Sequence, residues 1–235
     1  MARVFVPGFK PSVSGFHFAN QFPRGPVLTL PIPGLGRLPI GNAANGLCGG
    51  MAFAVRDLFT AKRSPPPETK PPAHGSPLFG YLVRRLFRSF NLPHGPLRYF
   101  AWMNLPDADT HTTRGLAWRT IREEWPRVRR DLDAGLLTPL GLVRVRSPNP
   151  LQMGRNHQVL AYGYHLDEPT NDLAICVYDP NHPDQDDLVL SLSLADPTRR
   201  TPMVYSNGET FRGFFHTRYR PADCSVLFAG SDAVR

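Results

Sequence analysis

The chain is short of cysteine and of lysine: its 235 residues hold three of each. Cys48, Cys176 and Cys224 are an odd number without clustered spacing, which excludes a disulfide framework and a cysteine-based zinc site. Lys10, Lys62 and Lys70 are the only lysines, so the formal net charge of +8 is almost wholly arginine. Those arginines are scattered. Small groups at Arg84, Arg85, Arg88 and at Arg127, Arg129, Arg130 fall on predicted helices and read as solvated helix faces rather than a phosphate track. With no nucleic-acid-binding motif, no nucleic-acid partner is expected. No apolar run reaches the ~20 residues of a membrane span. The opening segment 1–8 lacks the apolar stretch and small-residue cleavage site of a secretory signal, so the expectation is a cytoplasmic protein with no membrane partner. His74, His94, His111, His165, His182 and His216 lack metal-ligand spacing, and Gly34-Leu35-Gly36 lacks the setting of a phosphate loop. Neither metal nor organic cofactor is called for.

What is present is a clear change of period along the chain. Residues 1–44 are rich in Pro, Gly and Phe, have no helical period, and read as extended segments anchored by Phe16, Phe18 and Phe22. A helix is expected from Cys48 to Ala61, with Met51, Ala54, Val55 and Leu58 on its buried stripe. Residues 64–77 form a Pro-rich loop, read as an exposed insertion. Ser76-Pro77 then caps a helix carrying Leu78, Phe79, Leu82, Val83, Leu86, Phe87 and Phe90 on one face. Further helical stretches cover 115–124 and 126–135, and Trp102, Trp118 and Trp125 read as core fillers. From Leu140 the period is two. Strands are expected at 141–146, 157–164, 173–179, 187–194, 211–219 and 225–229. Helices first and a meandering sheet second make an α+β fold in a single domain, with an extended segment 1–44, a helical lobe 45–139 and a sheet lobe 140–235.

Cys48 stands out by its setting. The run Gly41-Asn42-Ala43-Ala44-Asn45-Gly46-Leu47-Cys48-Gly49-Gly50-Met51 leads through a turn into a helix. Free backbone N–H groups and the helix dipole favour negative charge there, and the thiolate is the nucleophilic form of cysteine. A nucleophilic thiol needs a base and a group to orient that base. His157 opens one strand and Asp179, followed by Pro180, ends the next. A hairpin centred on Glu168 sets His157 opposite Asp179 on one face, about 5 Å apart at Cβ. A half-residue shift of that centre pairs His157 with Tyr178 or Pro180 instead and turns Asp179 away, leaving Asn181 as the alternative orienter. The Cys48 N–H supplies one oxyanion donor, and Asn42 and Asn45 are available as a second. Cys176, inside an apolar strand, reads as a small core residue, and Cys224 as incidental.

Gly-Leu-Cys-Gly-Gly-Met at a helix start, with His157 and Asp179-Pro180 following in that order, resembles the papain-like cysteine peptidase superfamily, and within it the bacteriocin-processing (double-glycine) branch. The resemblance implies a papain-like fold and a Cys48–His157–Asp179 triad acting on a peptide or amide bond of a peptide or protein substrate. It also assigns the oxyanion-hole amide, six residues before the cysteine, to Asn42. Departures are Asn where the branch usually has Gln, Gly49-Gly50 in place of bulkier residues, and a segment 62–139 with no counterpart. Two other functions fit the same residues: an acyltransferase or transglutaminase-like enzyme with the same triad, and an inactive binding module of the same fold.

Overall fold

The structure, a computed structural model, describes residues 1–22, 28–32, 36–41, 47–91 and 94–228, with 28–32 and 36–41 described at the level of the backbone. The N-terminal segment is more structured than its composition suggests. Strand β1 (Ala2–Phe5) joins the main sheet, α1 (Pro11–Ser14) is a single turn, and β2 (Leu28–Ile32) and β3 (Gly36–Gly41) form a hairpin of their own. Between them Phe16, Phe18 and Phe22 are buried, as the anchoring role requires.

Helix α2 (Cys48–Thr60) carries its expected stripe inward: Met51, Ala54, Val55 and Leu58 are fully buried. Ser76 caps α3 (Pro77–Ser89) by accepting from the Phe79 N–H at 3.2 Å. The two helices pack so closely that a Cβ at Gly50 would lie 2.2 Å from the Leu82 carbonyl oxygen. That contact accounts for glycine at position 50. The solvated face expected for Arg84, Arg85 and Arg88 needs correction at Arg85. This residue is 3% exposed, and its Nε lies 2.6 Å from Asp57 Oδ2, a carboxylate also bonded by Tyr81 and Tyr219. A buried guanidinium persists only where such partners replace its hydration.

Helix α4 (His94–Asn104), which the periodicity did not single out, buries Tyr99, Trp102 and Met103. Next come α5 (Leu116–Trp118), a π-turn (Arg119–Glu124) and α6 (Trp125–Asp133), a continuous run rather than two separate helices. The wide turn lies just before Pro126, where the Trp125 N–H bonds the Thr120 carbonyl five residues back. Proline lacks an N–H and its ring crowds the carbonyl four residues earlier, so a local widening lets the helix continue. Gly135, at φ +72°, ends α6.

The sheet comprises β4 (Thr138–Val143), β5 (His157–Asp167), β6 (Asp172–Tyr178), β7 (Val189–Ser193), β8 (Met203–Tyr205), β9 (Thr210–Phe211) and β10 (Gly213–His216), joined by β1. All pairings are antiparallel, in the order β10-β4-β5-β6-β7-β8-β9. The long β5 pairs with β6 along one edge, while β4 and β1 share its other edge end to end. The single strand expected at 211–219 is split: Phe211 closes β9 at one end of the path and Gly213 opens β10 at the other. Residues only two apart can serve both ends only if the sheet curls round on itself. Residues 225–227, expected in a strand, form a 3₁₀ turn instead. The architecture is α+β, a curled antiparallel sheet with α2 laid against β5. No described helix is long and apolar enough to cross a membrane.

Candidate active site

Cys48 is the first residue of α2 and is half-buried; Cys176 and Cys224 are both buried, and all three are free thiols. Burial pushes the Cys176 thiol up to about 11, as befits a core residue. His157 opens β5 after a 3₁₀ turn (Pro150–Arg155) that Asn149 caps by accepting from the Leu151 N–H. Its position is fixed from behind by the Tyr99 hydroxyl, which donates to the His157 carbonyl at 2.9 Å.

His157 Nε2 lies 2.7 Å from Asp179 Oδ1, with the pair 8% and 2% exposed. The expected direct cross-strand pairing of these residues is corrected by the register. The turn runs through 168–171, with Asn171 at φ +59°, so Asp167 faces Asp172. A one-residue shift then occurs between Ala161 and Gly163, after which Leu160 faces Tyr178. Continued one step, that register sets Asp179 across from Val159, diagonal to His157 on the same face. Without the bulge Asp179 would face the other side of the sheet. β1 braces the shift, since the Val6 N–H donates to the carbonyl of Tyr162 at 2.8 Å.

Cys48 meets the same ring as both a charge and a hydrogen-bond partner. With Nε2 held by Asp179, Nδ1 is the nitrogen left for the sulfur. Burial alone would disfavour the imidazolium, but the charges of Asp179 and Cys48 and their hydrogen bonds outweigh it and push His157 up to about 10. Burial likewise opposes ionisation of Asp179. The His157 charge and bond, the Asn181 N–H and the Tyr205 hydroxyl together hold its carboxyl below the usual carboxylate range. The site is thus built to hold a buried charge pair with a sulfur beside it.

Asn181, the alternative orienter, gives Asp179 its backbone N–H at 2.8 Å. Its side-chain oxygen instead accepts from Asn20 at 3.1 Å. Asn20 was not anticipated. Its Oδ1 accepts from the Leu47 N–H at 2.5 Å and its own N–H donates to Pro180 at 2.8 Å, tying the start of α2 to the segment after Asp179. Tyr205, Tyr99 and Gln158 were also missed, because tyrosine and glutamine in a strand or helix carry no spacing signature. Asn42 and Asn45 lie outside the described residues. No cluster of three or more His, Cys, Asp or Glu side chains suited to a metal ion occurs among the described residues. No protein-family model, curated protein or solved structure matches this chain.

Proposed function

We propose that the protein is a thiol hydrolase of papain-like type that cleaves a peptide or amide bond. The observation that carries the reading is a single buried imidazole held by a carboxylate on one nitrogen and met by a half-buried thiol from a helix start. His157 takes the thiol proton and Cys48 Sγ attacks the carbonyl carbon. His157 then returns that proton to the leaving amine as the C–N bond breaks, giving an acyl-thioenzyme. Water, deprotonated by His157, releases the acid and restores the thiol. Asp179 holds the ring and stabilises the imidazolium. The N–H of Cys48, which has no intrahelical acceptor at the first helical position, faces the developing oxyanion, with Asn42 as its partner in the resemblance.

The test is alkylation by iodoacetamide from pH 5 to 10, with peptide mass spectrometry assigning the modified cysteine. Selective modification of Cys48 in the folded protein, lost on His157→Ala, supports the reading. A Cys48 no more reactive than Cys176 or Cys224 refutes it and favours a binding module. Adding a primary amine to a turnover assay separates the two enzymatic readings, since net amide formation marks a transferase.

A further inference from the structure

Two residues that line the same small cavity, Gln158 and Thr217, each carry a buried polar atom with no hydrogen-bond partner, Oε1 and Oγ1, and are 3% and 6% exposed. The cavity measures about 180 Å³, well beyond the ~30 Å³ share of one water molecule. Leaving such atoms unpaired costs about 1–3 kcal/mol each, so a site that retains them is suited to a ligand that completes them.

The cavity adjoins the candidate catalytic pair. Gln158 follows His157 in β5, and a Cβ on Gly49, the residue after Cys48, would lie 2.3 Å from Gln158 Oε1. Tyr99, which holds the His157 carbonyl, is a second wall and accepts a hydrogen bond from Gln158. That bond uses the amide nitrogen and leaves Oε1 as a pure acceptor. Thr217 Oγ1 can donate or accept. Arg98, Arg127 and Arg218 also line the cavity, and their positive charge nearby disfavours a cation. A carboxylate would set its lone pairs against those of Gln158 Oε1. A neutral group with a donor N–H beside an acceptor oxygen satisfies both orphans.

We propose that this cavity is a substrate subsite for a carboxamide side chain, asparagine or glutamine. The –NH₂ donates to Gln158 Oε1 and the carbonyl accepts from the Thr217 hydroxyl. The placement as a substrate subsite rests on the thiol-hydrolase reading; the ligand chemistry rests on the cavity alone.

The first experiment uses peptidyl acyloxymethyl ketones bearing Gln, Glu, Lys or Leu at each position in turn. Each rate of Cys48 labelling is divided by the same variant's iodoacetamide rate. At one position the Gln probe is expected to react at least tenfold faster than the Glu and Lys probes, and Gln158→Leu or Thr217→Val to erase that ratio. Equal ratios, or a preference for Leu, overturn the subsite while leaving the thiol chemistry intact. The second experiment titrates folded Cys48→Ala protein with N-acetylglutaminamide and N-acetylglutamate, following the Thr217 methyl and Gln158 side-chain amide signals by NMR. Shifts with the amide alone support the ligand chemistry whatever the reactivity of Cys48. Equal shifts with both ligands, or none with either, overturn it.

Discussion

The Tyr205 hydroxyl donates to Asp179 Oδ2 at 2.8 Å, on the carboxylate oxygen that His157 leaves free. Tyr205 is 1% exposed, and burial with the nearby Asp179 charge pushes its phenol far up, so it stays a donor at any working pH. It therefore fixes the carboxylate rather than taking part in proton transfer. Tyr205→Phe is expected to lower the Cys48 alkylation rate at pH 7 several-fold, and to cost about 1–3 kcal/mol of stability by leaving Oδ2 short of a donor. Asp179→Asn should lower turnover by on the order of 10²–10⁴-fold. Equal rates in all three proteins would remove Asp179 from the chemistry.

Cys48 is half-buried at a helix start and contributes little packing. Cys48→Ala is expected to abolish turnover while changing unfolding free energy by less than about 1 kcal/mol. Urea denaturation alongside a peptide-cleavage assay checks both halves, and retained turnover would refute the assignment.

The charge pair sets a pH dependence of stability. His157 rises from 6.5 to about 10 in the folded protein, so its contribution is complete below about pH 6.5 and is lost as pH rises through about 10. Asp179 is lowered from 3.8, so its contribution is present above that value and fades as the pH drops through its lower folded value. The stability gap between wild type and Asp179→Asn is therefore expected to be widest near pH 4–6.5. It should narrow by a few kcal/mol towards pH 10, at ~1.4 kcal/mol per tenfold change in proton affinity. Urea titrations at pH 5, 7, 9 and 10 measure it. A gap independent of pH would mean that the two groups do not meet as ions.

Gly50→Ala tests the tight seam between α2 and α3. The new methyl meets the Leu82 carbonyl, a backbone group that cannot swing aside. A loss of about 1–3 kcal/mol is expected by thermal unfolding. An unchanged midpoint would show that the helices separate freely.

Arg85 makes a different demand on the same seam. Arg85→Leu leaves the buried Asp57 carboxylate without its cation and is expected to destabilise by about 3–5 kcal/mol, whereas Arg84→Leu on the exposed side should change little. Chemical denaturation of the two variants in parallel distinguishes a buried pair from a solvated face.

The helical stripe of α2, the Ser76 cap, the period-two strands and the order Cys48, His157, Asp179 were legible in the sequence, because each rests on periodicity, capping chemistry or spacing within a few residues. The alternating leucines of the strand expected at 187–194 belong with them: Leu188, Leu190 and Leu192 are buried and Leu194 is half-buried. The burial of Arg85 was not legible, since its partner Asp57 lies 28 residues away on another helix. Nor was the strand role of residues 2–5, whose partner is β5.

The site divides in the same way. The residue types that could form it, and their arrival at a helix start and two strand ends, belong to the local sequence. Which face Asp179 takes depends on a one-residue bulge in β5, and which groups steady it depends on Asn20, Tyr99 and Tyr205 arriving from distant parts of the chain. Register and convergence are settled by long-range hydrogen bonding and packing, and single-residue spacing carries no record of either.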